Sequence, residues 1–157
     1  MEAQLHSKQF VTFLMGKELY GINIFNTQEI IRVPEITPIP NSKSYIEGII
    51  NLRGDVIPVI NLETKFQIPS NGIKKEVIVI RSQGEKLGIM VEKVFRVIQV
   101  DESEISPPPS ILTGVDEEYI LGVLRLEDNK LIIFLNIEQM FFDDAVRFAK
   151  DLNNSHP

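Results

Sequence analysis

Tyr45-Ile-Glu-Gly-Ile-Ile-Asn51-Leu-Arg-Gly-Asp55-Val-Ile-Pro-Val-Ile-Asn-Leu62 places two apolar, β-branched runs on either side of a short polar step. The runs, 46–52 and 56–62, read as paired strands. Ile and Val suit a pleated surface, and Arg53-Gly54-Asp55 supplies the turn between them. Pro58 has no amide hydrogen, so its place inside the second run predicts an edge strand or a bulge. Arg-Gly-Asp also matches an adhesion tripeptide, but nothing in the chain indicates secretion, and the turn reading is preferred.

The same pattern recurs outward from this stretch. Residues 9–15 and 18–22 flank Gly16-Lys17, and 76–81 and 86–91 flank Ser82-Gln83-Gly84-Glu85; both read as hairpins. Residues 94–100 form a further strand, and 119–126 pair with 131–136 across Glu127-Asp128-Asn129-Lys130. Asn26 and Glu29 have the spacing of a capping box, which predicts a short helix ending near Ile31, with Ile30 and Ile31 on one face. Pro34, Pro38 and Pro40 then favour extended connectors, and 42–45 reads as a helical turn. Asn136 and Gln139 are spaced to cap a closing helix. Ala145, Phe148, Ala149 and Leu152 recur at helical spacing, so a helix is expected from about residue 143. About ten short strands with few helices predict an all-β chain of barrel or sandwich type. The loop at 67–74 is the natural seam between two halves, 9–70 and 71–142, with 143–157 as a helix and frayed tail. No strong sequence repeat accompanies them.

With 157 residues the chain is long enough for a sizeable core. A net charge of −6 without a basic stripe argues against nucleic-acid binding. The absence of cysteine excludes disulfides, thiolate metal sites and a cysteine nucleophile. The two histidines, His6 and His156, sit at the chain ends, poor positions for a general base or a metal ligand. No phosphate-cradling glycine loop or nucleophile elbow occurs. Asp101, Glu102 and Glu104 lack calcium-loop spacing and read as a solvated loop, as do Asp116-Glu117-Glu118 and Asp143-Asp144. No apolar run is long enough to span a bilayer. The expected protein is cytoplasmic, non-enzymatic and free of cofactors and metals, and it works through its surface.

One segment is far more specific. Gly21-Ile-Asn-Ile-Phe-Asn-Thr-Gln-Glu29-Ile-Ile, then prolines, then Ile46-Glu-Gly48-Ile-Ile-Asn51-Leu-Arg53-Gly54 and a strand ending Pro58-Val-Ile-Asn-Leu62, resembles the signature of the CheW family of chemotaxis adaptors. Gly88-Ile-Met-Val-Glu-Lys-Val94, 105–109, Tyr119-Ile-Leu-Gly-Val123 and 131–136 follow in the family's order, so the similarity runs from about residue 8 to residue 142. The resemblance implies one domain of two intertwined five-stranded, SH3-like β-barrels over a common hydrophobic core. It implies a scaffold joining the cytoplasmic tips of methyl-accepting chemoreceptors to the regulatory domain of the histidine kinase CheA, near the membrane only through those receptors. That kinase domain has the same fold, so the two can pack pseudo-symmetrically and build rings.

Carried over by residue, the resemblance implies receptor contact at Arg53 and Glu29, with Thr27 beside them where an aliphatic residue is usual. Ile30, Val91 and Val94 are expected to line an apolar groove suited to a helical hairpin. Ile36, Pro38 and Ile46 are the expected kinase face, and Gly48 and Gly54 are expected to permit backbone turns. Competing readings are a scaffold for a pilus or gliding pathway, a fragment of a larger chain, and a small ligand-binding barrel. A free-standing protein is expected over a fragment, and a barrel of the last kind requires a closed pocket with convergent titratable groups.

Overall fold

The computed structural model describes residues 7–69, 72–108, 117–137 and 143–154. Ten strands form two five-stranded sheets. In chain order the strands are β1 (Ser7–Met15), β2 (Glu18–Asn23), β3 (Thr27–Arg32), β4 (Ile46–Leu52), β5 (Asp55–Asn61), β6 (Glu76–Ser82), β7 (Glu85–Val91), β8 (Lys93–Asp101), β9 (Ile120–Arg125) and β10 (Leu131–Leu135). The first sheet runs β8-β1-β2-β10-β9 and the second β3-β6-β7-β5-β4. Among the described residues the α-helices are α1 (Leu62–Phe66) and α2 (Asp143–Asn154).

The two sheets are the same design cut at different places. In the second sheet an edge strand (β3) is followed in sequence by β4-β5 and then the β6-β7 hairpin. In the first, β8 is followed by β9-β10, and the corresponding hairpin, β1-β2, comes from the start of the chain. One parallel contact joins hairpin to strand pair in each half: β2 with β10, and β7 with β5. Each edge strand has a register irregularity, at 27–29 in β3 and opposite Val11–Phe13 in β8. Each sheet curls until the segment leaving one edge strand meets the other edge at an isolated bridge, Thr37 with Ile49 of β4 and Ser106 with Val123 of β9. Tyr45 and Tyr119 also match, for their carbonyls accept from the Asn61 and Asn136 amides at 2.8 Å.

Alternation along the strands explains the packing. Val77 and Val79 of β6 face the interior of their own sheet with Ile50, Ile57, Val59 and Met90. Ile78 and Ile80, between them, face a larger core shared with Val11, Phe13, Tyr20 and Ile22 of the other sheet. Phe10, Val100, Ile132 and Phe134 fill the first sheet's interior. A strand buried on both faces needs apolar residues at every position, which is why these runs are continuous. Each fully buried Ile, Leu or Phe stabilises by about 1.5–3 kcal/mol. From α2, Ala145, Val146 and Ala149 are buried, and the helix packs on β5 and β7.

Several expectations need correction. The sheets divide as 7–23 with 93–135, and 27–91, so the seam expected at 67–74 lies inside the second sheet's strand set. No helix spans 23–31. Asn23, rather than Asn26, caps a single 3-10 turn, Ile24–Asn26, by accepting from Phe25 N at 2.9 Å. Residues 27–32 then alternate half-buried and exposed, the period of a strand. Leu62 begins α1 instead of ending a strand; Asn61 Oδ1 accepts from Thr64 N at 3.1 Å, and Gln67 stops the helix at φ 57°. Pro58 lies on β5, an interior strand. Its missing donor is tolerated because the ladder to β7 begins only at Val59; on the β4 side Pro58 stands in regular register with Ile49. Residues 42–45 contain a turn closed by Ile46 N to Lys43 O and no helix. The acidic 101–104 stretch is a capped 3-10 turn, with Glu102 paired to Lys8 at 3.2 Å. Gln139, Asp116 and both histidines lie outside the described residues.

Candidate functional site

The quoted stretch folds into a hairpin in which Leu52 faces Asp55 and Arg53-Gly54 makes the two-residue turn. Both turn residues are left-handed, φ 50° and 89°, as a type I′ turn requires. Nothing lies within 4 Å of where a Gly54 Cβ would be, so backbone conformation alone favours glycine there. Arg53 adopts the same region against the ordinary preference of a residue with a Cβ. Asn51 Oδ1 holds the turn by accepting from Gly54 N at 3.1 Å. Gly48 is not a turn residue. It sits in β4 where the edges close, and a Cβ would come within 2.2 Å of the Thr37 carbonyl oxygen.

Curling brings this turn, at one edge of the second sheet, against β3 at the other. Nη2 of Arg53 donates to both carboxylate oxygens of Glu29, at 2.7 and 2.6 Å. The side chains are 68% and 31% exposed, so the pair is a surface clasp whose groups a partner can reach. The hydrogen bond to Glu29, then Glu29's charge, hold the Arg53 guanidinium above its ordinary pKa, with Asp55 adding to this and burial opposing it. On the far side of the turn Asp55 pairs with Lys86 of β7 at 3.1 Å. Along the seam from the clasp lies a cleft of about 500 Å³ lined by Pro34, Glu35, Thr37, Ile49, Ile50, Asn51 and Val56. It holds one ionisable side chain, Glu35, and is not the closed, convergent pocket that a small-ligand barrel requires.

Arg53 and Glu29 therefore come together at one end of the second sheet, whereas Thr27 and Ile30 stand opposite Ile80 and Ile78, on the face of β3 turned to the shared core, and Glu29 stands opposite Val79 of the sheet's interior. Thr27 is half-buried, and its Oγ1 is buried without a hydrogen-bond partner. Ile30 is exposed and Val94 half-buried against the shared core. Val91 does not join them: it is 0% exposed in that core and has no surface to offer a groove. The expected kinase face also contracts. Ile46 is 8% exposed, Ile36 packs partly against the second sheet's interior, and Pro38 alone is fully at the surface. Sequence reading missed the 90% exposed Phe25, the outward Phe95 and Val97 of edge strand β8, and Lys86. The alternation Phe95-Arg-Val97 was a readable signal for the β8 pair. Among the described residues no group of three acids or histidines is placed to hold a metal.

A family model described as CheW-like domain matches residues 9–145. The chain is 38% identical over 139 residues to the chemotaxis protein CheW of Treponema pallidum, covering 85% of this chain and 81% of that one. It is 32% identical over 152 residues to the chemotaxis protein CheW of Bacillus subtilis, covering 94% and 95%. A crystal structure of the scaffolding protein TtCheW from Thermoanaerobacter tengcongensis superposes with a TM-score of 0.77 at 38% identity, covering 87% of this chain and 90% of that one.

Proposed function

The chain belongs to the CheW family of chemotaxis adaptors, and we propose that it couples the cytoplasmic tips of methyl-accepting chemoreceptors to the regulatory domain of the histidine kinase CheA. The observation that carries this reading is the Glu29–Arg53 clasp, an exposed guanidinium on a half-buried carboxylate, both set by the backbone at a sheet seam. A planar guanidinium with five donors can keep Glu29 and still offer hydrogen bonds outward. Ile30, one residue along β3, adds exposed apolar surface on the strand's other face, and charge beside apolar surface is what an amphipathic helix hairpin recognises. We assign receptor contact to Arg53, Glu29, Thr27, Ile30 and the exposed part of Val94, and kinase contact to Pro38 and the exposed part of Ile36. The two sheets present matched closing edges, which suits pseudo-symmetric packing against a kinase domain of the same fold. Family membership makes the protein a scaffold, and its place at a membrane-associated array follows from the receptors it binds. Among the described residues no helix is long and apolar enough to cross a membrane.

Calorimetric titration with the cognate kinase regulatory domain and with a receptor-tip fragment tests the proposal. Saturable binding to each, at micromolar concentrations or below, is expected. Absence of heat with both partners refutes it.

A further inference from the structure

Four charges of alternating sign run around one end of the second sheet: Glu29 on β3, Arg53 in the β4–β5 turn, Asp55 at the start of β5 and Lys86 on β7. Arg53 stands between two carboxylates. It is hydrogen-bonded to Glu29 at 2.6 and 2.7 Å, while Asp55, two residues on at the end of the same turn, is held by Lys86 at 3.1 Å. Asp55 is close enough for its charge to act on the guanidinium. Exposed ion pairs are individually weak, so an arginine facing two acids divides between them, and a neighbouring cation shifts the division. Lys86 is well placed for that task. It projects from an interior strand, and its side chain is 32% exposed.

We propose that Lys86 is a positioning residue for the receptor contact: by engaging Asp55 it leaves the Arg53 guanidinium to Glu29 and so fixes it at the seam instead of over its own turn. Lys86 itself touches no receptor. The proposal rests on the reading that Arg53 meets the receptor.

The test uses the full-length chain, wild type and the variants Lys86→Gln, Asp55→Asn, their double mutant and Arg53→Ala, each titrated with a cytoplasmic hairpin-tip fragment of the cognate receptor. The Glu29 carboxyl carbon shift is followed by NMR in parallel. Lys86→Gln is expected to weaken binding about threefold, the scale of one exposed ion pair, and to move the Glu29 signal towards that of Arg53→Ala. Asp55→Asn alone should bind as the wild type. The double mutant should regain wild-type affinity and the wild-type Glu29 signal, because the competing carboxylate is gone; a generic loss of packing at Lys86 would not be rescued in this way. A double mutant as weak as Lys86→Gln, or a silent Lys86→Gln beside a damaging Arg53→Ala, overturns the proposal and leaves the receptor reading standing. If Arg53→Ala binds normally, the receptor reading itself falls. The Glu29 signal in Lys86→Gln then decides whether the charges partition as argued.

Discussion

In the second sheet the turn after β4 holds Arg53 against Glu29 of the opposite edge strand. In the first sheet the matching turn, Glu127–Asn129, lies after β9, and no ion pair joins it to β8 among the described residues. Both seams are nevertheless closed by a reciprocal backbone pair, Thr37 with Ile49 at 2.9 Å and Ser106 with Val123 at 2.8 and 2.9 Å. Each closing pair has a glycine beside it: a Cβ on Gly48 would strike Thr37 O, and one on Gly122 would strike Ile105 Cγ2 at 2.4 Å and Ser106 O at 2.7 Å. One half thus closes without a clasp. The clasp is therefore not what closes the other half, and its charges are available for recognition.

The largest effect is expected inside, where α1 of the second half is anchored by a buried ion pair between Glu63 and Lys74. Lys74→Met would strand the Glu63 carboxylate and should cost about 3–5 kcal/mol in urea unfolding; a cost below about 1 kcal/mol would mean that the carboxylate is readily solvated. Next come the closures. Gly48→Ala and Gly122→Ala should each cost about 3 kcal/mol, since close-packed backbone cannot yield a methyl's width. If only one is costly, the two seams are not equivalent.

The shared core gives a pH test. Burial, followed by Glu18 and Glu63, pushes the Tyr20 phenol up from 10.0 to about 12. The protonated form is favoured in the folded state, so this contribution is fully present below pH 10 and is lost as the unfolded phenol ionises between pH 10 and about 12. The loss should be on the order of 2 kcal/mol, and Tyr20→Phe should abolish that part of the alkaline slope. The smallest effect is at Thr27, whose place before the register irregularity of β3 is taken by Val94 in β8. Thr27→Val removes an unpartnered buried hydroxyl and should raise stability by about 1 kcal/mol, read from the urea midpoint. No gain would indicate that the hydroxyl is satisfied in solution.

The hairpins were legible because their turns carry local chemistry: Arg53-Gly54 and Gln83-Gly84 both take two left-handed residues. The 27–32 strand was misread because Asn26 and Glu29 happen to share the spacing of a capping pair, and that coincidence outweighed a weak alternation of polar and apolar residues. The division into halves was invisible for a different reason. Which strands share a sheet is set by non-local pairing, and the β1-β2 hairpin completes a sheet whose other strands begin 70 residues later, at Lys93. At the site, Arg53 and Glu29 were named through family resemblance, but their contact was not, because 24 residues separate them and only the curl of the sheet joins them. Val91 and Ile46 illustrate the converse. An apolar residue in a strand carries no mark of whether it faces a core or a partner.

The most direct test reconstitutes receptor fragments, the kinase and this chain, and measures kinase autophosphorylation with wild type and with Arg53→Ala. The wild type should confer receptor-dependent activation. Arg53→Ala should keep its unfolding midpoint and its binding to the kinase regulatory domain while losing most of that activation. Full activation by Arg53→Ala, or receptor control that persists with the chain left out, would contradict the account.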